Sequence, residues 1–304
     1  MPWKLFNSLF IYSLFFDTAL NRCKITTSVR KRGSSKRLVG KVRQHMSTSK
    51  MTHIGILVPV CSRNQYHASR QDIPFFKYLL PSLQKTMEES DFKYSLFVGC
   101  DDNDTFYLAH RHWFEDGGCK FITLKNCQHA PALAWNQLYR TAIEYHDTIH
   151  YFFQLSDDVV LENKWTTPFV EYLQSKNNLG VTGPCDVENY RQRIYGGRQI
   201  IIENAFVSRK HNSIFQTFFH PSIKNWYCDD WITGVYNAHD LAQLMTNIEC
   251  KNSIRDHRYT IEACPAIEQL IREGSKKLTE VLTAIPSSDR ELGVMGNHKR
   301  GIRQ

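Results

Sequence analysis

The most informative part of the sequence is the stretch Tyr151-Phe152-Phe153-Gln154-Leu155-Ser156-Asp157-Asp158-Val159-Val160. In it, an apolar, aromatic strand is followed directly by two adjacent carboxylates. Two like charges at this place need a counter-ion, and carboxylate oxygens are hard ligands that suit Mg²⁺ or Mn²⁺. The alternative is that the two aspartates cap the turn after the strand, where Asp is common. The stretch therefore predicts a buried strand that is followed by a cation site or by a capped turn.

Apolar strands and amphipathic helices alternate on both sides of this stretch. Ile54–Val60 is a continuous apolar run of strand length, which suits a strand buried on both faces of a sheet. The other predicted elements are strands at Tyr94–Val98, Lys120–Leu124, Ile149–Leu155 and Leu179–Thr182, a strand candidate at Ile200–Ser208, and helices at Asp72–Met87, Pro131–Tyr145, from Pro168 and at Pro265–Ala284. We therefore predict the α/β fold class, with a doubly wound, mainly parallel sheet flanked by helices in a single domain.

Polar segments follow three of these strands, at the sheet edge where ligands of such folds bind. They are Cys61–Asn64, Cys100–Asp104 and Ser156–Asp158. A solvated turn also explains the acids of the second segment, and their spacing does not fit an EF-hand. The sequence contains no dinucleotide-type glycine loop, phosphate loop, His-Glu-x-x-His or Gly-x-Ser-x-Gly motif, which disfavours those enzyme classes.

A strand that ends in Ser-Asp-Asp resembles the acidic DxD motif of GT-A-fold glycosyltransferases, notably the family 2-like group. The strand Ile-Leu-Val-Pro-Val, the Asp pair after the second strand and Ala134-Trp135-Asn136-Gln137 follow the family's order, and the resemblance covers about Ile54 to Tyr259. It implies that a nucleotide-sugar binds to Ser62, Arg63, Asn64, Asp101, Asp102, Asn136 and Asp157, and that a metal binds to Asp158 and His257. Ser156 departs from the family, since many relatives of this type carry an acid there.

A second aromatic and acidic segment, Phe219–Ile232, resembles the acceptor-side Glu/Asp-Asp-Trp motif of inverting family members. The resemblance implies that Asp230 or Asp229 is the catalytic base and that Trp226, Tyr227 and Trp231 bind the acceptor sugar by stacking. Inversion needs such a base, because the acceptor hydroxyl loses its proton as it attacks. The alternative is a helix capped by Asp229 beside a buried aromatic cluster.

The positive charge of the chain lies in its first 50 residues. They hold 11 Lys and Arg and one acid, whereas residues 51–304 hold 27 Lys and Arg against 29 acids. A near-neutral body disfavours a nucleic-acid partner. The apolar part of residues 1–50 is shorter than the roughly 20 residues of a membrane span. We expect a cytoplasmic protein if translation starts near Met51, and otherwise a membrane-associated or secretory-pathway protein with membrane contact through this arm.

Three segments are predicted: a basic arm at 1–50, disordered or for targeting; a GT-A-like domain at 51–284; and a polar tail at 285–304. Within the domain, 51–160 is the predicted nucleotide-binding half and 161–284 the acceptor half. The resemblance implies a metal-dependent, inverting glycosyltransferase that uses Mn²⁺ or Mg²⁺. It would move a sugar from a UDP- or GDP-sugar to a hydroxyl of a glycan, protein or lipid. Two alternatives stay open, a sugar nucleotidyltransferase and a non-catalytic carbohydrate-binding or scaffold protein with this fold.

Overall fold

The computed structural model describes residues 51–188, 201–254 and 262–284. Its strands form one eight-stranded sheet in the order β3-β2-β1-β4-β7-β6-β8-β5. The strands are β1 Thr52–Pro59, β2 Phe92–Asp101, β3 Lys120–Leu124, β4 Tyr151–Gln154, β5 Val159–Leu161, β6 Val181–Asp186, β7 Phe206–Ser208 and β8 Ala242–Asn252.

The first four strands form the parallel part of the sheet. β1 pairs in parallel with β2 and β4, and β2 pairs in parallel with β3. β6 and β8 form a further parallel pair, whereas β7 runs antiparallel to β4 and β6, and β5 runs antiparallel to β8. The mostly parallel α/β architecture predicted from the sequence is confirmed. The predictions did not include β5 or β8. In the described part of the predicted strand Ile200–Ser208, residues 201–208, the strand is Phe206–Ser208.

Helices connect these strands. They are α1 Leu80–Thr86, α2 Thr105–Ala109, α3 His112–Glu115, α4 Pro131–Tyr145, α5 Thr166–Ser175, α6 Lys210–Phe215, α7 Cys228–Asn237 and α8 Ile267–Ala284. One π-helical segment, Phe75–Leu79, leads into α1, so the helix predicted from Asp72 to Met87 has two parts. The bounds predicted for β3 and α4 are confirmed to the residue.

The core lies on both faces of the sheet. One core cluster contains Leu57 of β1 together with side chains of α4, α7 and α8, and the other contains Ile56 and Val58 together with side chains of α1 and α5. β1 is therefore buried on both sides, as its continuous apolar sequence predicts. Within the described residues no helix combines the length and the apolar character that a membrane span requires.

Candidate functional site

The carboxyl ends of β1, β2 and β4 bring the three predicted polar segments to one edge of the sheet. The Cys61 thiol, which follows β1, shows the grouping directly. Burial raises the pKa of this thiol, and the negative charges of Asp104, Asp101 and Asp157 raise it further. Acids at the ends of β2 and β4 therefore lie close enough to the Cys61 thiol, after β1, to affect its pKa.

The two aspartates after β4 are buried, with 1% of Asp157 and 3% of Asp158 exposed. The Leu155 N–H donates to the Leu57 carbonyl over 3.1 Å, so pairing with β1 continues up to the acids. The Asp158 Oδ2 accepts the N–H of Ile254 over 3.1 Å. Asp158 therefore joins the end of β4 to the segment after β8, and its position is fixed from both sides.

The predicted nucleotide-binding residues after β1 form a tight turn. The Gln65 N–H donates to the Ser62 carbonyl over 2.9 Å, and the two central residues, Arg63 and Asn64, have positive φ of 54° and 57°. Positive φ is uncommon for residues other than Gly, and a contact from outside the turn helps to hold it. Asp104 supplies that contact, because its Oδ2 accepts the Ser62 N–H over 2.6 Å.

Asp104 also begins α2, where its Oδ1 accepts the Tyr107 N–H over 3.0 Å. One carboxylate thus caps a helix and holds the turn after β1. No site role was predicted for Asp104 from the sequence. An Asp three residues ahead of Tyr107 is a recognisable N-cap signal, but its second bond joins residues 42 positions apart.

The acids at the end of β2 differ in their surroundings. Asp101 is half-buried, and burial together with the charges of Asp102 and Asp104 raises the pKa of its carboxyl, while His129 acts in the opposite direction. Asp102 is exposed, and its Oδ1 accepts the Gln128 Nε2–H over 3.1 Å. Asp101 therefore has the enclosed position of the pair, and a nucleotide contact of either acid stays a prediction.

The first turns of α4 join the carboxylate edge to the segment before α7. The Asn136 Nδ2–H donates to the Phe219 carbonyl over 3.0 Å, and the Phe219 N–H donates to the Asn136 Oδ1 over 2.7 Å. On the neighbouring residue, the Trp135 Nε1–H donates over 3.2 Å to the carbonyl of Leu155, just ahead of Ser156-Asp157-Asp158. The amide of Asn136 thus holds the Phe219 backbone. A nucleotide contact for Asn136 stays a prediction.

Further contacts fix the segment 219–227 against the N-terminus of α4. The Ala132 N–H donates to the Lys224 carbonyl over 2.9 Å. Asn225 is buried, and its Oδ1 accepts the N–H of Trp226 over 2.7 Å. The predicted acceptor segment is therefore positioned by the helix that precedes β4.

Asp229 and Asp230 lie in the first turn of α7 and are half-buried. The free N–H groups of a helix N-terminus stabilise negative charge there. The N-cap position belongs to Tyr227, with a φ of 73°, so Asp229 lies inside the helix. Both carboxylates thus lie in the first turn of α7, next to its free N–H groups.

The three aromatic residues predicted to stack on an acceptor are not equivalent. Trp226 and Tyr227 are partly exposed. Trp231 is 1% exposed and lies between α7 and α8, where its Nε1–H donates to the Leu270 carbonyl over 3.2 Å. The Trp231 ring packs in the core in this structure, which leaves Trp226 and Tyr227 as the accessible rings.

No group of three or more His, Cys, Asp or Glu side chains arranged to hold a metal occurs within residues 51–188, 201–254 and 262–284. His257, predicted as a metal ligand, lies outside the described residues. The donor set that the described residues offer is the carboxylate pair Asp157 and Asp158. Mg²⁺ is commonly bound by one or two carboxylates together with substrate phosphates and water, so this pair fits such an ion.

No family model matches the chain, and no curated protein matches it. Among solved structures, the chain is similar to a mannosyltransferase of Pyrobaculum calidifontis in complex with GDP-Man and Mn²⁺, with 14% identity, a TM-score of 0.46, and 82% of this chain and 80% of that chain covered. It is also similar to residues 1–349 of S. aureus TarS, with 12% identity, a TM-score of 0.43 and coverage of 80% and 69%. GalNAc-T7 with UDP, GalNAc and Mn²⁺ gives 9% identity, a TM-score of 0.42 and coverage of 73% and 48%.

Proposed function

We propose that this protein is a glycosyltransferase that moves a sugar from a nucleotide diphosphate sugar to a hydroxyl acceptor with inversion at the anomeric carbon. The observation that carries the proposal is the grouping at one sheet edge of Asp157 and Asp158 after β4, Asp101 at the end of β2, and the Ser62–Gln65 turn after β1. Ligands of parallel α/β sheets bind at this edge. Buried carboxylates there suit a ligand that brings a cation with it.

The donor is proposed to lie across the ends of β1, β2 and β4. Ser62, Arg63 and Asn64 would contact the nucleoside, and Asp101 would accept hydrogen bonds from the base edge. Asp102 and Asp157 would complete the nucleotide-sugar contacts. The double contact of Asp104 supports this arrangement, because it holds the Ser62 turn in one position before a ligand arrives.

A divalent cation is proposed to bind through Asp158, with Asp157 beside it and His257 as a further ligand. When bound, Mn²⁺ or Mg²⁺ would neutralise the negative charge of the diphosphate leaving group. The protein's own contribution is to hold Asp158 still, since the Ile254 N–H and the continued pairing of Leu155 with β1 fix it from two directions.

Asp230, or Asp229, is proposed as the base that removes the proton of the acceptor hydroxyl. The acceptor oxygen then forms a bond to the anomeric carbon as the bond from that carbon to the diphosphate breaks on the opposite side. The first turn of α7 supports this role, because it holds both half-buried carboxylates directly after the partly exposed Trp226 and Tyr227. Trp226 and Tyr227 would stack on the apolar face of an acceptor sugar.

Thermal unfolding of the full chain with UDP, GDP and CMP, each with and without Mn²⁺, tests the donor site. A ligand that binds the folded state raises the unfolding midpoint, so we expect one diphosphate to raise it and to need Mn²⁺. If no nucleotide shifts the midpoint with or without Mn²⁺, the proposed donor site is wrong.

Substrate and binding assays on the same protein distinguish a glycosyltransferase from the two alternative functions. A sugar nucleotidyltransferase would consume a nucleoside triphosphate and a sugar phosphate and would release pyrophosphate. A carbohydrate-binding or scaffold protein would bind sugar without nucleotide or metal. We expect that the protein releases no pyrophosphate. We expect that it hydrolyses or transfers the sugar of a UDP- or GDP-sugar.

A further inference from the structure

The strand β3 forms one edge of the sheet, because it stands first in the strand order and pairs with β2. The Asp102 N–H donates to the Leu124 carbonyl over 2.9 Å, so the backbone of Leu124 faces β2. The N–H and C=O groups of successive residues in a strand face alternate sides. Phe121 and Thr123 therefore direct these groups away from β2, where no strand of the described residues pairs with them.

The space beyond this edge is open. A space of about 460 Å³ borders β3, and both Phe121 and Ile122 line it. These neighbours point to opposite faces of the sheet, and they pack against different core clusters. Glu115 of α3 and Tyr145 of α4 line the same space. A space lined from both faces lies beside the strand, in the plane of the sheet, which is where a further strand would pair.

The free backbone groups of β3 are complementary to those of a second copy. If two copies of β3 run antiparallel about a two-fold axis at Ile122, Phe121 of each copy lies opposite Thr123 of the other. Each such pair exchanges two hydrogen bonds. This register therefore satisfies every outward N–H and C=O group of Phe121 and Thr123 in both copies.

The side chains of β3 tolerate the same register. Ile122 lies on the two-fold axis, so the two Ile122 side chains meet on the same face of the joined sheet. Lys120 lies opposite Leu124 of the second copy rather than opposite another lysine. Like charges directly opposite each other destabilise paired strands, and this register avoids them.

Charge complementarity extends beyond the strand. Lys125 is exposed directly after β3 and lies opposite Cys119 of the second copy in this register. The Cys119 N–H donates to the Phe114 carbonyl over 3.1 Å, so Cys119 lies against the end of α3. Asp116 is exposed directly after α3. The two-fold axis thus brings a basic residue of each copy toward an acidic residue of the other, which favours a second copy as the partner.

We propose that β3 pairs antiparallel with β3 of a second copy of this chain, about a two-fold axis at Ile122. The two eight-stranded sheets then join edge to edge in a homodimer. Closed two-fold symmetry with the same patch on both subunits is the commonest form of oligomer. Because β3 has only 5 residues, the paired surface is small and the dimer is weak.

Sedimentation equilibrium of the full chain tests the association. We expect a monomer–dimer equilibrium between about 1 and about 300 µM, the range of a weak complex. Thr123→Lys should weaken the dimer about tenfold or more, because it places a charge of each copy beside the axis. Thr279→Lys, at an exposed threonine of α8, is the matched control and should dimerise like the wild type. A full chain that stays monomeric throughout, or a Thr123→Lys variant that dimerises normally, would overturn the proposal.

Disulfide formation reads the register. The two Ile122 Cα atoms would lie about 4.5 Å apart, within the reach of a disulfide. The two Thr123 Cα atoms would lie roughly 8 Å apart, beyond that reach. Mild oxidation should therefore link Ile122→Cys into a covalent dimer through the substituted position, as located by peptide mass spectrometry. Thr123→Cys and the wild type should not form this link.

Linkage of both cysteine variants to the same extent, or of neither, would overturn the proposed pairing. Sedimentation and disulfide formation use no nucleotide and no sugar. The outcome is therefore independent of the proposed transferase activity.

Discussion

Asn136 and Phe219 are joined by a reciprocal pair of hydrogen bonds, in which the side-chain amide of Asn136 both donates to and accepts from the backbone of Phe219. The two residues are 83 positions apart. Asn136 lies on the helix before the acidic strand, and Phe219 begins the segment that leads to Asp229 and Asp230. The pair therefore couples the two halves of the proposed site.

Replacement of Asn136 tests this coupling. Asn136→Ala removes both bonds and should lower the free energy of unfolding by about 1–3 kcal/mol, since two hydrogen bonds are lost and the Phe219 groups are left without them. Acceptor transfer should fall more than nucleotide binding does, because the segment that becomes loose carries the proposed base. Urea unfolding and nucleotide titration measure the two effects. Gln269→Ala, on the exposed face of α8, is the control, and equal losses in both variants would contradict a coupling role.

Asp158 is proposed as a metal ligand and Asp230 as the catalytic base, so their replacement by asparagine should affect different steps. Asp158→Asn should weaken Mn²⁺-dependent nucleotide binding by about 10-fold or more, because the metal loses a charged ligand. Asp230→Asn should leave nucleotide binding intact and abolish transfer, because the base is lost. Calorimetric titration measures nucleotide binding, and a transfer assay measures sugar transfer. Asp116→Asn, at an exposed aspartate, is the control. Nucleotide and Mn²⁺ binding of Asp158→Asn at the wild-type level would disprove the cation assignment.

Asp104 should matter although it touches no proposed ligand. Asp104→Asn offers only one oxygen to two N–H donors, those of Ser62 and Tyr107, so one bond must be lost. We expect a loss of about 1–2 kcal/mol in stability and weaker nucleotide binding, since the turn at Arg63 and Asn64 is no longer held. Denaturant unfolding and nucleotide titration test this together. Normal nucleotide affinity in a destabilised variant would show that Asp104 only caps α2.

Two buried histidines should make stability depend on pH. Burial lowers the pKa of both His53 and His211 to about 4 in the folded protein, against 6.5 ordinarily. Between these values the unfolded chain binds more protons than the folded one, so the free energy of unfolding falls as the pH drops from 6.5 toward 4. Each histidine contributes a slope of at most about 1.4 kcal/mol per pH unit in this window.

Urea unfolding at pH 7, 6 and 5 measures that slope. His211→Gln should reduce it, because one of the groups whose pKa is lowered in the folded protein no longer titrates. His112→Gln, at an exposed histidine of α3, is the matched control for the replacement of a histidine by glutamine. A slope that is the same in His211→Gln and in the wild type would show that His211 is not the source.

Local sequence determined most of the parallel part of the sheet. Ile54–Val60, Lys120–Leu124 and Pro131–Tyr145 carry their own signals, because continuous apolar runs and helical periodicity reflect burial that each element needs wherever it packs. Asp157 and Asp158 were also recognised from the sequence, because two charged residues directly after an apolar strand stand out there. β5 and β8 were missed because β5 has only three residues, because the burial of β8 follows no two-residue alternation, and because the two strands pair across 89 to 93 residues.

Which of the predicted site residues and their neighbours contact one another is visible only in the tertiary structure. The sequence gives no sign that Asp104 binds Ser62, that Asn136 holds Phe219, or that Trp231 packs against α8 while Trp226 stays accessible. These contacts join residues between 39 and 83 positions apart, and they follow from how the helices close on the sheet. Residue type fixes what a side chain can bind, whereas packing fixes which partner is within the few ångströms that a hydrogen bond allows.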